Sequence, residues 1–139
     1  MASVNTQFSI AVHLLAGIAS RDGFVTSEAL AESVNTNPAF IKRILAKISK
    51  ASLIRTYAGK AGGCELAKSS DKITLFDVYS AVEAPKTFAI HNYTVNRSCE
   101  ISSNIKDVMK GVSDDAQRAF EKELKKTTIA DVVRKIRSR

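Results

Sequence analysis

Tryptophan is absent from this 139-residue chain, which has only three tyrosines and six phenylalanines, so no aromatic platform for stacking single-stranded bases is evident. No apolar run approaches the ~20 residues of a membrane-spanning helix. The N-terminus lacks the basic start and cleavage site of a secretory signal. The chain is therefore expected to be cytoplasmic, with no membrane partner. Two cysteines, Cys64 and Cys99, read in such a chain as free thiols rather than a structural staple. No Ser/His/Asp set or carboxylate pair suggests catalysis, so an enzyme is not expected. His13 and His91 have no Cys, Asp or Glu at metal-ligand spacing. His13 lies beside the apolar stripe of its helix and reads as structural. His91 falls in a loop, solvated or lining an effector pocket. Asp114-Asp115 reads as a helix start.

What is present is apolar material and positive charge. The hydrophobic fraction is 45%, enough for one compact domain with an appended helical piece. Net charge is +7, and residues 36–72 hold eight Lys/Arg against two acids. A local excess of this kind suits a polyanionic partner.

That excess centres on residues 36–50. Asn37-Pro38 offers a capping side chain followed by the residue best tolerated at a first helical position. Phe40, Ile41, Ile44, Leu45 and Ile48 recur at helical spacing as one apolar stripe, with Lys42, Arg43, Lys47 and Lys50 off it. Alone, such a helix is either an amphipathic element with a solvated basic face or one built to enter a phosphate-lined groove.

Its neighbours favour the groove. A helical period runs from Val4 to about Ser20, and Asp22-Gly23 turns the chain. Phe24-Val25 is a short apolar link, and Thr26 or Ser27 caps a helix from Glu28 to about Val34. After the turn at Asn35-Thr36 comes the basic helix, which completes a helix-turn-helix. Leu53–Tyr57 reads as a strand, Gly59–Gly63 as a tight turn and Cys64–Ala67 as a returning strand: a wing suited to the minor groove. The glycine turn lacks the spacing of a nucleotide-binding loop. Ile73–Val82 is a helix whose Thr74 cap has Asp77 three residues on. Residues 83–98 have no sustained period and read as a loop.

Helical patterning resumes at Ile101, with Ile105, Val108, Met109 and Val112 on one stripe. Asp114-Asp115 would start a new turn, and Ala116, Ala119, Phe120 and Leu124 extend the stripe. Thr127-Thr128 breaks the run, and Ile129, Val132, Val133 and Ile136 form a last short helix with a basic end. A long apolar seam beyond a complete winged domain asks for cover. Pairing with a second subunit provides it, and folding back over the first helix is the alternative. The expected fold is mainly α with a small β-hairpin wing: a winged helix-turn-helix domain over 1–82, an effector or sensor loop over 83–100, and a dimerisation helix with C-terminal helix over 101–139.

Taken together, the wing Gly59, Gly62, Gly63, Leu66, Ala67, the segment Ile73-Thr74-Leu75-Phe76-Asp77-Val78 and Thr128-Ile129-Ala130-Asp131-Val132 resemble the Rrf-two family of bacterial transcription regulators. That family includes the iron–sulfur-cluster regulator, the nitric-oxide-sensing repressor and the cysteine-metabolism repressor. The resemblance implies a homodimer on palindromic double-stranded DNA, usually a repressor, that answers to an effector. Thr36, Pro38 and Ala39 would meet base edges, and Lys42, Arg43, Lys47 and Lys50 would meet phosphates and bases. Family members commonly carry Arg before the first wing glycine. Ala58 stands there, so minor-groove contact falls to Arg55 or Lys60.

Cluster-binding members use three loop cysteines and a fourth ligand; Cys99 alone occupies that segment here, so no iron–sulfur cluster or other cofactor is expected. Cys99, beside Arg97 at a helix start, is either an oxidant sensor or a thiol that simply packs. Cys64, at a wing position usually aromatic, would face DNA far from Cys99. The reading is therefore a sequence-specific DNA-binding regulator responsive to a small molecule or oxidant. The alternative is a winged-helix adaptor binding protein or RNA.

Overall fold

A computed structural model describes residues 5–21, 24–60 and 62–139. Val4, the Asp22-Gly23 turn and Ala61 lie outside the described residues. Among these the chain forms α1 (Gln7–Ala19), α2 (Ser27–Val34), α3 (Pro38–Lys50), β1 (Ile54–Tyr57), β2 (Gly63–Leu66), a 3₁₀ turn (Ser70–Lys72), α4 (Leu75–Ala81), α5 (Glu100–Leu124) and α6 (Ile129–Arg137). It is mainly helical with one antiparallel hairpin. Two compact units emerge, one of residues 1–84 with 124–139 and the other of residues 85–123.

The first unit closes around Leu14, Leu15, Leu30, Ile41, Ile44, Ile48, Ile73, Val78, Val82 and Ile129, all fully buried. Burying each side chain of this size contributes about 1.5–3 kcal/mol. Helix α2 starts at Thr26, whose hydroxyl accepts the Ala29 N–H, and ends at Asn35 in the left-handed region with φ 66°. Helix α3 starts at Asn37, whose Oδ1 accepts the Ala39 N–H at 2.7 Å, with Pro38 in the first position. These caps fix the turn that sets α3 against α2. In the hairpin Ile54 pairs with Leu66, Arg55 with Glu65, Thr56 with Cys64 and Tyr57 with Gly63. Val25 bridges Cys64, so the apolar link after α1 adds one residue to this small sheet. The turn requires its glycines: Gly59 has φ +95°, and a Cβ on Gly62 would come within 2.2 Å of the Tyr57 carbonyl oxygen.

Two expectations are corrected here. Cys64 does not face outward; it lies in the core cluster, 3% exposed, because the inward face of β2 packs on that core. Asp114-Asp115 starts no new turn. Helix α5 runs unbroken for 25 residues, since neither aspartate interrupts backbone bonding and Asp115 pairs with Arg118 one turn on. Helix α6 packs on α1, and the Arg137 guanidinium donates to the Ser20 carbonyl at 3.1 Å.

In the second unit, residues 85–99 form no regular element before α5. Gln117 anchors this stretch by accepting the Thr87 N–H at 3.1 Å. The Lys106 ammonium donates to the Tyr93 carbonyl, and Asn96 donates its N–H to the Ser102 hydroxyl at 2.8 Å. No described helix is long and apolar enough to cross a membrane.

Candidate nucleic-acid interface

The amphipathic pattern of α3 decides what the site can be. Ile41, Ile44, Leu45 and Ile48 are buried, and this locks the rotation of the helix. Lys42, Arg43 and Lys50 are left in solvent, with Thr36, Asn37, Pro38 and Ala39 exposed at the leading end. The Arg43 guanidinium carbon stands 5.5 Å from the centre of the Phe40 ring, a contact that steadies the cation without neutralising it.

Lys47 differs from the other three cations. It is half-buried, and its ammonium donates to Gln7 Oε1 at 2.7 Å, tying α3 to the start of α1. Sequence spacing groups it with the free cations, and Gln7 carries no signal that would reveal the link.

Between α3 and the hairpin lies an open cleft of about 690 Å³. Lys42, Lys50 and Ser49 line it from α3, Thr56, Tyr57, Gly59 and Gly62 from the hairpin, and Ser27 and Glu28 from the start of α2. Arg55 projects from β1 and Lys60 from the turn, both exposed. The hairpin thus stands beside the cationic helix, and a rod-like polyanion could touch both. Tyr57 and Glu65 complete the wing surface, with the tyrosine hydroxyl donating to Glu65 Oε1 at 2.8 Å. Nothing in the sequence around either residue marks it for this surface. A second basic stretch, residues 122–139, carries seven Lys/Arg against two acids, and part of its charge is engaged by Asp131 and the Ser20 carbonyl.

Cys99 lies in the other unit. It is half-buried directly before α5, and its Sγ accepts the Ser102 N–H at 3.4 Å. Burial pushes the Cys64 thiol up from its ordinary value, which keeps it in the unreactive protonated form. His13 Nε2 and the Ser33 hydroxyl lie 2.9 Å apart and link α1 to α2, the structural role expected of that histidine. His91 is exposed, its ring centre 6.2 Å from that of Tyr93.

Comparison with known proteins agrees with this geometry. The Rrf2 (Rrf-two) family model, described as an iron-dependent transcriptional regulator, matches residues 4–135. The chain is 34% identical over 131 residues to YwnA of Bacillus subtilis, provisionally named an HTH-type transcriptional regulator, covering 94% of this chain and 96% of that one. A solved structure provisionally named a transcriptional regulator, from Lactobacillus plantarum, is similar with TM-score 0.81 and 27% identity, covering 95% of this chain and 90% of that one. The IscR of T. potens shares the fold, with TM-score 0.72 at 20% identity, covering 97% of this chain and 88% of that one.

The family description raises the question of iron, and the donors do not fit it. Among the described residues no three His, Cys, Asp or Glu side chains converge as a metal site. Cys64 is enclosed in an apolar core, and Cys99 has no second thiol in its own unit. With an exposed cationic helix, an adjoining wing and a family model spanning nearly every residue, the chain belongs to the Rrf2 family of DNA-binding transcriptional regulators and not to any class of enzyme.

Proposed function

We propose that this chain acts in the cytoplasm as a homodimeric repressor that reads palindromic operators and responds to thiol oxidation at Cys99. The observation that carries the reading is the exposed cationic face of α3 beside the wing. In this reading Thr36, Pro38 and Ala39, exposed at the leading end of α3, meet base edges, and the exposed Lys42, Arg43 and Lys50 meet phosphates and bases. Arg55 and Lys60 extend the contact along the wing, while Lys47 contributes positive potential from its place beside Gln7.

Support for the dimer comes from α5. Ile101 is 69% exposed, Val108 60% and Val112 48%, on one stripe of a 25-residue helix. A second copy would cover that stripe and supply the second reading helix.

The sensing step rests on Cys99, whose sulfur already accepts a backbone N–H at the positive end of α5. A hydroperoxide would oxidise the thiolate by two electrons: sulfur takes one peroxide oxygen as sulfenic acid, the O–O bond breaks, and the other oxygen leaves as hydroxide or alcohol. No cofactor is assigned.

Selection of bound duplexes from random DNA, with and without oxidant, tests the reading. It should return a two-fold symmetric motif with half-sites about 10 base pairs apart, and oxidant should abolish enrichment in wild type but not in Cys99→Ser. Enrichment of no motif would refute the operator reading, and an oxidant response surviving in Cys99→Ser would refute the sensor.

A further inference from the structure

One acid interrupts the cationic surface of the wing, and it is tied to two neighbours. Glu65 lies directly across the hairpin from Arg55. Its Oε1 stands 3.5 Å from the Arg55 guanidinium and accepts the Tyr57 hydroxyl at 2.8 Å. Tyr57 packs edge-on against Phe24, with ring centres 4.9 Å apart. The hydrogen bond to Glu65 raises the phenol above its ordinary value, so Tyr57 stays a donor. The chain Phe24–Tyr57–Glu65 therefore fixes the carboxylate in place, while the Arg55 side chain remains 59% exposed.

A fixed carboxylate on a surface that approaches phosphates lowers affinity for every duplex. Its placement against one particular arginine suggests what is gained. Attraction between Arg55 and phosphate is sequence-blind and long-ranged, and it strengthens binding to any DNA. An exposed ion pair is weak, so a phosphate brought into hydrogen-bonding contact can take the Arg55 guanidinium over from Glu65, which keeps its bond to Tyr57, whereas one held a Debye length away cannot.

We propose that Glu65 is a specificity-setting positioning residue: it occupies Arg55 so that the wing adds little to non-specific binding, and it yields Arg55 only on an operator that fits. This inference rests on the reading of the chain as a selective reader of duplex DNA.

Glu65→Gln tests it, because the amide oxygen can still accept the Tyr57 hydroxyl while the charge is lost. Affinity is measured for a selected operator and for its scrambled duplex over a range of salt, for wild type, Glu65→Gln, Arg55→Gln and the double variant, with circular dichroism checking that each is folded. Glu65→Gln should tighten scrambled binding ~3- to 10-fold and steepen its salt slope by about 0.9, with a smaller gain on the operator, so the specificity ratio falls. In the Arg55→Gln background that fall should vanish. Equal tightening on both duplexes, an unchanged ratio, or a fall that persists without Arg55 would each overturn the role of Glu65. A wild type selective for no duplex would instead overturn the DNA reading, and this inference with it.

Discussion

Thr74 and Thr128 face each other across an isolated antiparallel bridge while each caps its own helix. Each hydroxyl accepts the N–H of an aspartate three residues on, Asp77 and Asp131, both at 3.1 Å, and each aspartate returns a bond to its threonine. The Leu75 N–H donates to the Thr127 carbonyl at 2.8 Å and the Ile129 N–H to the Ile73 carbonyl at 2.9 Å. The chain thus returns for α6 beside the point where α4 begins, and Ile73 and Ile129 are both fully buried there.

Thr74→Ala and Thr128→Ala should each lower unfolding stability by about 1 kcal/mol. Because the two caps touch, the double variant should depart from additivity by about 0.5 kcal/mol or more. Urea titrations of the four proteins measure both quantities.

The second cap predicts a pH dependence. The Thr128 backbone N–H, and then Arg134, hold the Asp131 carboxyl below its usual value. A lowered folded-state value stabilises above the unfolded carboxylate value of about 3.9 and is lost as pH falls through the folded one. The stability deficit of Asp131→Asn should therefore be full at pH 7 and shrink in strong acid, as denaturation midpoints across pH would reveal.

Thiol accessibility separates the two cysteines. A maleimide should label Cys99 in the native protein and reach Cys64 only after unfolding, giving one adduct per native chain and two per denatured chain by mass spectrometry. Burial raises the Cys64 thiol, and its side chain sits in the core.

The apolar stripe of α5 predicts assembly. Val108→Glu combined with Val112→Glu places two charges on the exposed seam and should convert dimer to monomer by light scattering. The far-ultraviolet spectrum should stay helical, since neither side chain belongs to the core of the first unit.

Much of this organisation is legible in the sequence because local rules act alone. Asn37-Pro38 and Thr74 with Asp77 are short-range chemistry, and each forms the cap its spacing implies. The stripe of α3 predicts its buried face, since one period fixes both sides of a helix. Long-range contacts are less visible. Nothing near Lys47 announces that Gln7, forty positions earlier, accepts its ammonium. The inward turn of Cys64 depends on hairpin register and on Val25, which no local pattern supplies. Asp114-Asp115 misleads because acids favour helix starts statistically, yet both are tolerated inside a long helix, where Asp115 is exposed and pairs with Arg118.

The most direct test is the affinity of the wild-type chain for a selected palindromic duplex and for its scrambled counterpart at one stated salt concentration. A cationic α3 and wing presented by paired protomers should favour the palindrome by ~10³-fold or more, and Arg43→Ala should remove about 1–3 kcal/mol of that preference. Equal affinity for the two duplexes would contradict the account.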